Sequence, residues 1–188
     1  MPSHAIGLVG PIASGKGTVA KLLRDRGYHP YSLSDRIREE IKTRNEEITR
    51  ESLNRISNEL RQNLGSDVLA KRTADLISQD NSDYVVVDAI RNPAEANFLK
   101  KTFNAHILGI TASQEKRFEF FKSRGSNSAG IETFEQFKEL DDREMAQSGE
   151  HKQQVGATLE LADSIIENDG SISDLAQKLE VALAELLE

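Results

Sequence analysis

The amino-acid sequence predicts a three-layer α/β fold with a five-stranded parallel sheet. Short apolar segments alternate with segments of helical spacing along the 188 residues of the chain, a pattern typical of right-handed β-α-β crossovers. The apolar segment DYVVVDAI (Asp83–Ile90) is continuous and β-branched, as expected of a parallel strand covered on both faces. A chain of this length suffices for one such domain and is short for two, so we expect residues 1–188 to form a single domain.

Five segments have the pattern of a short strand. We expect them at His4–Gly10, His29–Ser34, Asp83–Ile90, Ala105–Ala112 and Ala162–Asp169. Each is followed along the chain by residues with helical spacing. Since the carboxyl ends of parallel strands meet at one edge of the sheet, a ligand is expected at that edge.

The intervening segments place apolar residues every three or four positions, as amphipathic helices do. After the first strand, Val19, Leu22 and Leu23 form such a face, and Gly27 provides a stop. A loop rich in Gly and Ser interrupts the pattern at Gly125–Thr133. The helices are expected over 18–26, 35–44, 51–64, 68–77, 113–125 and 134–147, with two more beginning at Pro93 and Ser171.

Composition narrows the function classes. A net charge of −7 argues against a dedicated nucleic-acid binder, which usually has a basic face, but it allows a locally positive cleft for a small anion. The sequence lacks an apolar run long enough for a membrane span, and its first residues lack the pattern of a secretory signal. The absence of cysteine fits a reducing compartment, so we expect a cytoplasmic protein. The sequence leaves a monomer and a homodimer open.

One glycine-rich motif carries a definite chemistry. GPIASGK (Gly10–Lys16) satisfies G-x-x-x-x-G-K and lies between the first expected strand and the first expected helix, the context in which this motif binds phosphate. The glycines allow backbone N–H groups to point at phosphate oxygens, and the helix adds the positive end of its dipole. Lys16 supplies a positive charge to the terminal phosphates. The motif therefore predicts a nucleotide-binding loop.

The string GKGT (Gly15–Thr18) departs from the commonest form of this loop, because Gly17 stands where a Ser or Thr usually contacts Mg²⁺. It resembles the GKGT of adenylate kinase and its nucleoside monophosphate kinase relatives. The resemblance implies a P-loop kinase fold with ATP and Mg²⁺ as cofactors, with Thr18 as a phosphate contact and magnesium held largely through water. The ATP-binding residues predicted in the loop are Gly10, Ala13, Ser14, Gly15, Lys16, Gly17 and Thr18.

An acidic residue ends the clearest strand. Asp88 follows three valines, at the place where a Walker B carboxylate would lie near magnesium or its waters. We interpret Asp88 and Thr18 as the groups on the magnesium side, acting through water.

The segment YSLSDRIREEIK is similar to the monophosphate-binding segment of adenylate kinases. The resemblance assigns Asp35 the acidic position and Arg38 the acceptor-phosphate arginine, although Ser34 replaces a glycine. Arg91 resembles the arginine that these kinases place just after the acidic strand. Two arginines suit a phosphate because guanidinium groups donate paired hydrogen bonds. The helical acceptor-binding segment is expected over about 35–80.

Residues 113–147 resemble the short lid of nucleotide kinases, whose arginines close over the transferring phosphoryl group. Arg117 and Arg124 share one face of a helix before the Gly/Ser loop, and Arg143 follows the loop. Together with Lys16 and Arg91, these lid arginines make up the predicted catalytic set.

The segment IIENDGS, near the end of the chain, resembles the loop that packs near adenine in these folds. On that resemblance, Asn168 and Gly170 join the ATP-binding residues. VVVDAIRNPAE, LGSDVLAKR and ADSIIENDGS are also similar to bacteriophage deoxynucleoside monophosphate kinases and to an archaeal group of adenylate-kinase-related proteins. The resemblance therefore covers nearly the whole chain.

The sequence favours ATP-dependent phosphoryl transfer to a nucleoside or deoxynucleoside monophosphate, a small phosphorylated acceptor. Dephospho-coenzyme A kinase is the nearest alternative, since it shares the loop and the ending, but that family carries Asp-x-Asp where this chain has Leu33-Ser34-Asp35. A kinase of hydroxyl groups benefits from a general base, and a monophosphate kinase needs none. A nucleotide-dependent switch or partner-binding ATPase remains a further alternative, and an RNA-associated ATPase is disfavoured by the acidic charge.

Overall fold

The computed structural model describes residues 1–123, 130–146 and 149–186, and these residues form an α/β fold around a five-stranded sheet. The strands are β1 His4–Val9, β2 His29–Ser32, β3 Tyr84–Asp88, β4 His106–Thr111 and β5 Ser164–Glu167. Every paired strand is parallel, and the order is β2-β3-β1-β4-β5. The predicted fold class is therefore confirmed, and the glycine-rich motif follows the central strand.

Helices cover both faces of the sheet and complete the three layers. They are α1 Lys16–Asp25, α2 Leu33–Thr43, α3 Arg50–Leu64, α4 Val68–Gln79, α5 Pro93–Phe103, α6 Gln114–Ser123, α7 Phe134–Met145, α8 Val155–Leu159 and α9 Ile172–Leu186. Adjacent residues of β3 pack on opposite faces of the sheet: Val85 and Val87 pack with α2–α5, whereas Val86 packs with α1 and α9. Among the described helices, none combines the length and apolar character needed to cross a bilayer.

Two elements differ from the sequence pattern. Helix α2 begins at Leu33, although the charged run that begins at Asp35 marked its expected start. Leu33 is fully buried in the core shared with α3 and α4, so the first turn is held by packing that a local sequence pattern does not show. Helix α8 was not predicted, because a single turn has too few residues to display periodic spacing.

Helices α6 and α7 pack on each other through aromatic side chains. Phe121 and Phe137 are buried with their ring centroids 5.4 Å apart, and Ala13 of the glycine-rich motif belongs to the same cluster. Hydrogen bonds from Lys138 and Gln114 lower the pKa of the Asp142 carboxyl. Because Gln114 lies on α6 and Asp142 on α7, a polar contact also links the two helices. The segment predicted as a lid therefore contacts the predicted phosphate loop through an apolar cluster.

Phe137 is the residue on which this packing depends most, since it is fully buried in the aromatic cluster. We expect Phe137→Ala to lower the free energy of unfolding by about 3–5 kcal/mol, because it leaves a cavity that the cluster cannot fill. Urea unfolding followed by circular dichroism measures this loss. Phe134→Ala, at a half-buried ring on the same helix, is the control and should cost clearly less. Equal losses in the two variants would contradict the packing role given to Phe137.

Candidate active site

The glycine-rich motif forms a tight loop between β1 and α1. Gly10, Ala13 and Gly15 have positive φ values of 151°, 58° and 105°, the kind of conformation that lets a loop present backbone N–H groups to an anion. A Cβ on Gly10 would lie 2.1 Å from the carbonyl oxygen of Ile110, and one on Gly15 would lie 2.2 Å from Asn168 Nδ2. Glycine is therefore required at both positions by conformation and by space.

The interior of this loop fits the phosphates of a nucleotide. Ser14 is fully buried, and its Oγ has no hydrogen-bond partner among the described residues. Lys16 opens helix α1, and its Nζ donates to the carbonyl oxygens of Gly10 at 2.7 Å and Pro11 at 2.8 Å, across the mouth of the loop. A helix N-terminus, a buried hydroxyl and an ammonium group thus converge where phosphate oxygens would be bound.

A cavity of about 340 Å³ adjoins the loop at the carboxyl edge of the sheet. It lies where open α/β sheets bind their ligands. Its apolar wall consists of Ile12, Ile37, Leu53, Leu69 and Ala89. Its polar lining consists of Lys16, Ser32, Ser34, Arg38, Arg50, Asn54, Arg61, Asp88, Arg91, Glu144 and Gln153.

The charge of this lining is opposite to that of the whole chain. Among the described residues, five basic side chains and two carboxylates line the cavity, although the chain carries a net charge of −7. Such a local excess attracts anions to an acidic protein, and the low dielectric of the walls strengthens the effect. The cavity is therefore suited to an anionic ligand next to the phosphate loop.

The residues that end β2 and β3 lie side by side at the cavity. Ser32 is in register with Asp88. Asp88 Oδ1 accepts a hydrogen bond of 2.6 Å from the amide of Ala89, whose φ is 63°. A non-glycine residue held in this conformation costs of order 1–3 kcal/mol, and such strain is concentrated at functional sites. The left-handed conformation of Ala89 turns the chain away from β3, and the Asp88 carboxylate lies at the edge of the sheet.

Comparison with known proteins places these features in a family. The AAA domain family model matches residues 6–147, more than half of the chain. A UPF0200 protein of Hyperthermus butylicus is 31% identical over 179 residues, covering 95% of this chain and 92% of that protein. The chain is an AAA domain protein of the UPF0200 family. A UPF0200/UPF0201 protein of Archaeoglobus fulgidus is 36% identical, and this chain spans only 55% of its length.

Solved structures share the fold of this UPF0200 protein. TT1252 from Thermus thermophilus has 26% identity and a TM-score of 0.57, and the alignment covers 99% of each chain. A shikimate kinase from Acinetobacter baumannii has 20% identity and a TM-score of 0.60, with 98% of this chain and 96% of that chain covered, and at that identity it shows the fold alone. The family match and the phosphate loop support a nucleotide-dependent activity, and the fold is that of P-loop kinases.

The UPF0200 chain brings two of the three predicted acceptor residues into the cavity. Arg38 donates to Ser34 Oγ at 2.9 Å, and Arg91 Nη1 donates to Gln153 Oε1 at 3.0 Å. Asp35 does not line the cavity, and its side chain is 55% exposed at 3.8 Å from Arg38. The acidic position of the resemblance therefore contributes an exposed ion pair and no group inside the site.

Of the two residues predicted on the magnesium side, only Asp88 lines the cavity. Asp88 lines the cavity, whereas Thr18 lies in the first turn of α1, where its amide donates to Gly15 O at 2.9 Å. The described part of the chain contains no cluster of three His, Cys, Asp or Glu side chains that could hold a metal by itself. A magnesium ion here would thus need oxygens from nucleotide phosphates and water besides Asp88, as Mg²⁺ commonly takes.

The predicted ATP-binding residues near the end of the chain have different surroundings. Asn168 is buried, and its Nδ2 donates to Ser14 O at 2.9 Å, so it supports the phosphate loop from behind. Gly170 is exposed beyond β5, with Asp174 as the nearest side chain to the position of a Cβ. Gly17 is also exposed, and a Cβ there would meet no described atom within 4 Å.

The predicted lid arginines occupy unlike positions. Arg117 is buried, ion-paired to Asp141, and donates to the carbonyl oxygen of Ile12 in the phosphate loop at 3.2 Å. Arg143 is exposed and lines a neighbouring groove of about 600 Å³ between α3 and α7. Arg124 lies outside the described residues. Arg117 thus fastens the helix pair to the loop, and Arg143 stands beside the cavity.

Five further polar residues of the cavity were not predicted from the sequence. Arg50 pairs with Glu144, and Gln153 Nε2 donates to Asn54 Oδ1 at 3.0 Å. These contacts join α3 to α7 and to the segment after it, far apart in the chain. The fifth is Arg61, whose buried partner lies 34 residues away. The position of this arginine among the apolar residues of α3 was the one local signal that could have indicated that Arg61 is buried.

Glu95 is the buried partner of Arg61. It is fully buried near the start of α5, and its Oε1 accepts hydrogen bonds from Arg61 Nε at 3.1 Å and Nη2 at 2.8 Å. Its Oε2 accepts from the amides of Arg91 at 2.9 Å and Asn92 at 3.1 Å. One carboxylate therefore fixes an arginine side chain and the backbone of a second arginine on the cavity wall.

Substitutions of two glycines that are close in sequence test the geometry of the phosphate loop. We expect Gly15→Ala to destabilise the fold by about 1–2 kcal/mol or more, since it adds a left-handed alanine and a clash with Asn168. Its ATP affinity should fall by about tenfold or more. Gly17→Ala is the matched control: on an exposed helical turn with open space, it should leave stability unchanged or raise it by up to about 1 kcal/mol. Thermal unfolding and ATP titration measure both effects. Unchanged ATP affinity in Gly15→Ala would contradict the assigned loop geometry.

Proposed function

We propose that this protein transfers the terminal phosphoryl group of ATP to a nucleoside or deoxynucleoside monophosphate. The observation that carries the proposal is the cationic cavity directly beside the phosphate loop, with serines where a hydroxyl kinase would need a carboxylate. The family match and the kinase fold support the coarser class, and the composition of the cavity supports this acceptor.

The phosphate loop would hold ATP. Backbone N–H groups at the start of α1 and the Ser14 hydroxyl would bind the phosphates, and Lys16 would neutralise the charge that develops on the transferred group. Mg²⁺, when bound, screens the phosphate charge and aligns the oxygens. Asp88 would hold it at the sheet edge, with Thr18 contributing through phosphate or water.

Arg38 and Arg91 would bind the acceptor phosphate. Both line the cavity, and their side chains are 43% and 42% exposed, so their guanidinium groups are reachable by a ligand. Arg143, and Arg124 outside the described residues, would approach the transferring group from the lid. Arg117 would act as a positioning residue, since its donors are already engaged by Asp141 and the loop.

The absence of a carboxylate at the end of β2 favours a phosphate acceptor. Leu33, which the sequence comparison set against the first aspartate of dephospho-coenzyme A kinases, is buried in the core. The cavity positions beside it belong to Ser32 and Ser34, whose hydroxyl oxygens are 2.9 Å apart. Serine is a poor general base near neutral pH, whereas a monophosphate with a second pKa near 6 is already ionised and can attack unaided.

A substrate panel tests the proposal. The purified chain with ATP and Mg²⁺ should phosphorylate at least one nucleoside or deoxynucleoside monophosphate, measured by formation of ADP and of the diphosphate product. Lys16→Met should lower kcat by about a hundredfold or more, as removal of a transition-state charge partner does. Lys21→Met, at an exposed lysine on the same helix, is the matched control and should retain activity.

Three outcomes would decide against the proposal. Turnover of dephospho-coenzyme A alone would replace the acceptor class. ATP binding without turnover of any acceptor would favour the alternative of a nucleotide-dependent switch or partner-binding ATPase. Equal activity of Lys16→Met and Lys21→Met would remove the phosphate loop from the reaction.

A further inference from the structure

Arg61 has a buried nitrogen that the described structure does not use. The side chain is 1% exposed and reaches the wall of the cationic cavity. Its Nη1 is buried, and none of the described residues accepts a hydrogen bond from it. A guanidinium nitrogen left without an acceptor in the interior is costly, so native structures seldom keep one without a ligand or a function.

The other two nitrogens of Arg61 each donate a hydrogen bond to one carboxylate. Nε and Nη2 both donate to Glu95 Oε1, and Glu95 is itself fixed by two backbone amides at the start of α5. The guanidinium plane is thus held in one orientation, and Nη1, with both of its hydrogens, is the nitrogen for which no described residue provides an acceptor. A rigid, oriented donor of this kind binds an acceptor with little loss of conformational entropy.

The neighbouring charges specify the class of acceptor group. Arg38, Arg50 and Arg91 line the same cavity, so a ligand atom near Arg61 lies in a field of several positive charges. A neutral carbonyl or hydroxyl would gain little there, whereas a phosphate has three oxygens that can accept from separate arginines. The expected ligand is therefore a phosphate monoester.

We propose that Arg61 binds a phosphate oxygen of the acceptor through Nη1, at the inner end of the cavity, and that Glu95 is the positioning residue that aims it. This inference rests on the acceptor site proposed above and adds a residue that the sequence comparison did not assign. Arg61 then contacts the phosphate from α3, while Arg38 and Arg91 approach it from α2 and from the turn after β3.

NMR titration with inorganic phosphate tests the inference directly. The full-length protein is first saturated with Mg²⁺ and the non-hydrolysable ATP analogue AMP-PNP, which occupies the phosphate loop. Phosphate is then added, and the dissociation constant is read from the amide resonances of the cavity residues. In the unmodified protein, the Nε and Nη resonances of Arg61 should shift with the same dissociation constant.

Two arginines of α3 provide the variant and its control. Arg61→Lys keeps a positive charge for Glu95 but removes the Nη1 donors, and it should raise the dissociation constant of phosphate about ten- to a hundredfold. Arg55→Lys, at a half-exposed arginine paired with Glu46, should leave it within about twofold. For any monophosphate that is turned over, Arg61→Lys should raise the KM of the acceptor by a similar factor and leave the KM of ATP unchanged.

Two results would overturn the inference. One is a folded Arg61→Lys variant whose dissociation constant for phosphate lies within about twofold of the value for the unmodified protein. The other is a failure of the Arg61 side-chain resonances to shift at saturating phosphate, which would mean that buried water accepts the hydrogen bonds of Nη1. This second measurement uses the unmodified protein, so it tests the inference even if Arg61→Lys does not fold. The proposed function can fail separately, since a protein that phosphorylates no acceptor can still bind phosphate through Arg61.

Discussion

The carboxylate of Glu95 is the constraint on which the candidate acceptor site depends. It lies fully buried at the point where the chain leaves β3 and enters α5, and it accepts four hydrogen bonds. A buried carboxylate is unfavourable unless it is paired and hydrogen-bonded. Here each carboxylate oxygen accepts two hydrogen bonds. One oxygen holds the Arg61 side chain from α3, and the other holds the backbone that carries Arg91.

The same turn extends the constraint to the far side of the cavity. Asn92 caps α5, and its Nδ2 donates to the carbonyl oxygens of Glu150 and Lys152 at 3.0 and 2.9 Å. The segment so fastened presents Gln153, which bridges Arg91 and Asn54. Hydrogen bonds therefore connect the wall formed by α3 to the start of α5 and to the segment that carries Gln153. Fixed donors of this kind favour transfer reactions that proceed by positioning and electrostatic stabilisation.

The parts of the molecule that could be predicted from the sequence are those whose signal is local. The β3 strand is a run of consecutive valines, and the phosphate loop is a contiguous motif whose glycines are required by backbone shape. The candidate acceptor site is different, because its buried pair of Arg61 and Glu95 joins residues far apart in the chain. Burial of Leu33 and the engagement of Arg117 by Asp141 likewise depend on tertiary packing. Residue type alone could not separate a buried positioning arginine from an exposed one.

A crystal structure of the protein with AMP-PNP, Mg²⁺ and a monophosphate acceptor would show directly whether the arginines of the cavity bind the acceptor phosphate. We expect the acceptor phosphate within hydrogen-bond distance of Arg38, Arg61 and Arg91, facing the terminal phosphate of the analogue held by Lys16. An acceptor bound elsewhere, for instance in the groove of about 600 Å³ between α3 and α7 with no anion contacting Arg61 or Arg91, would contradict it.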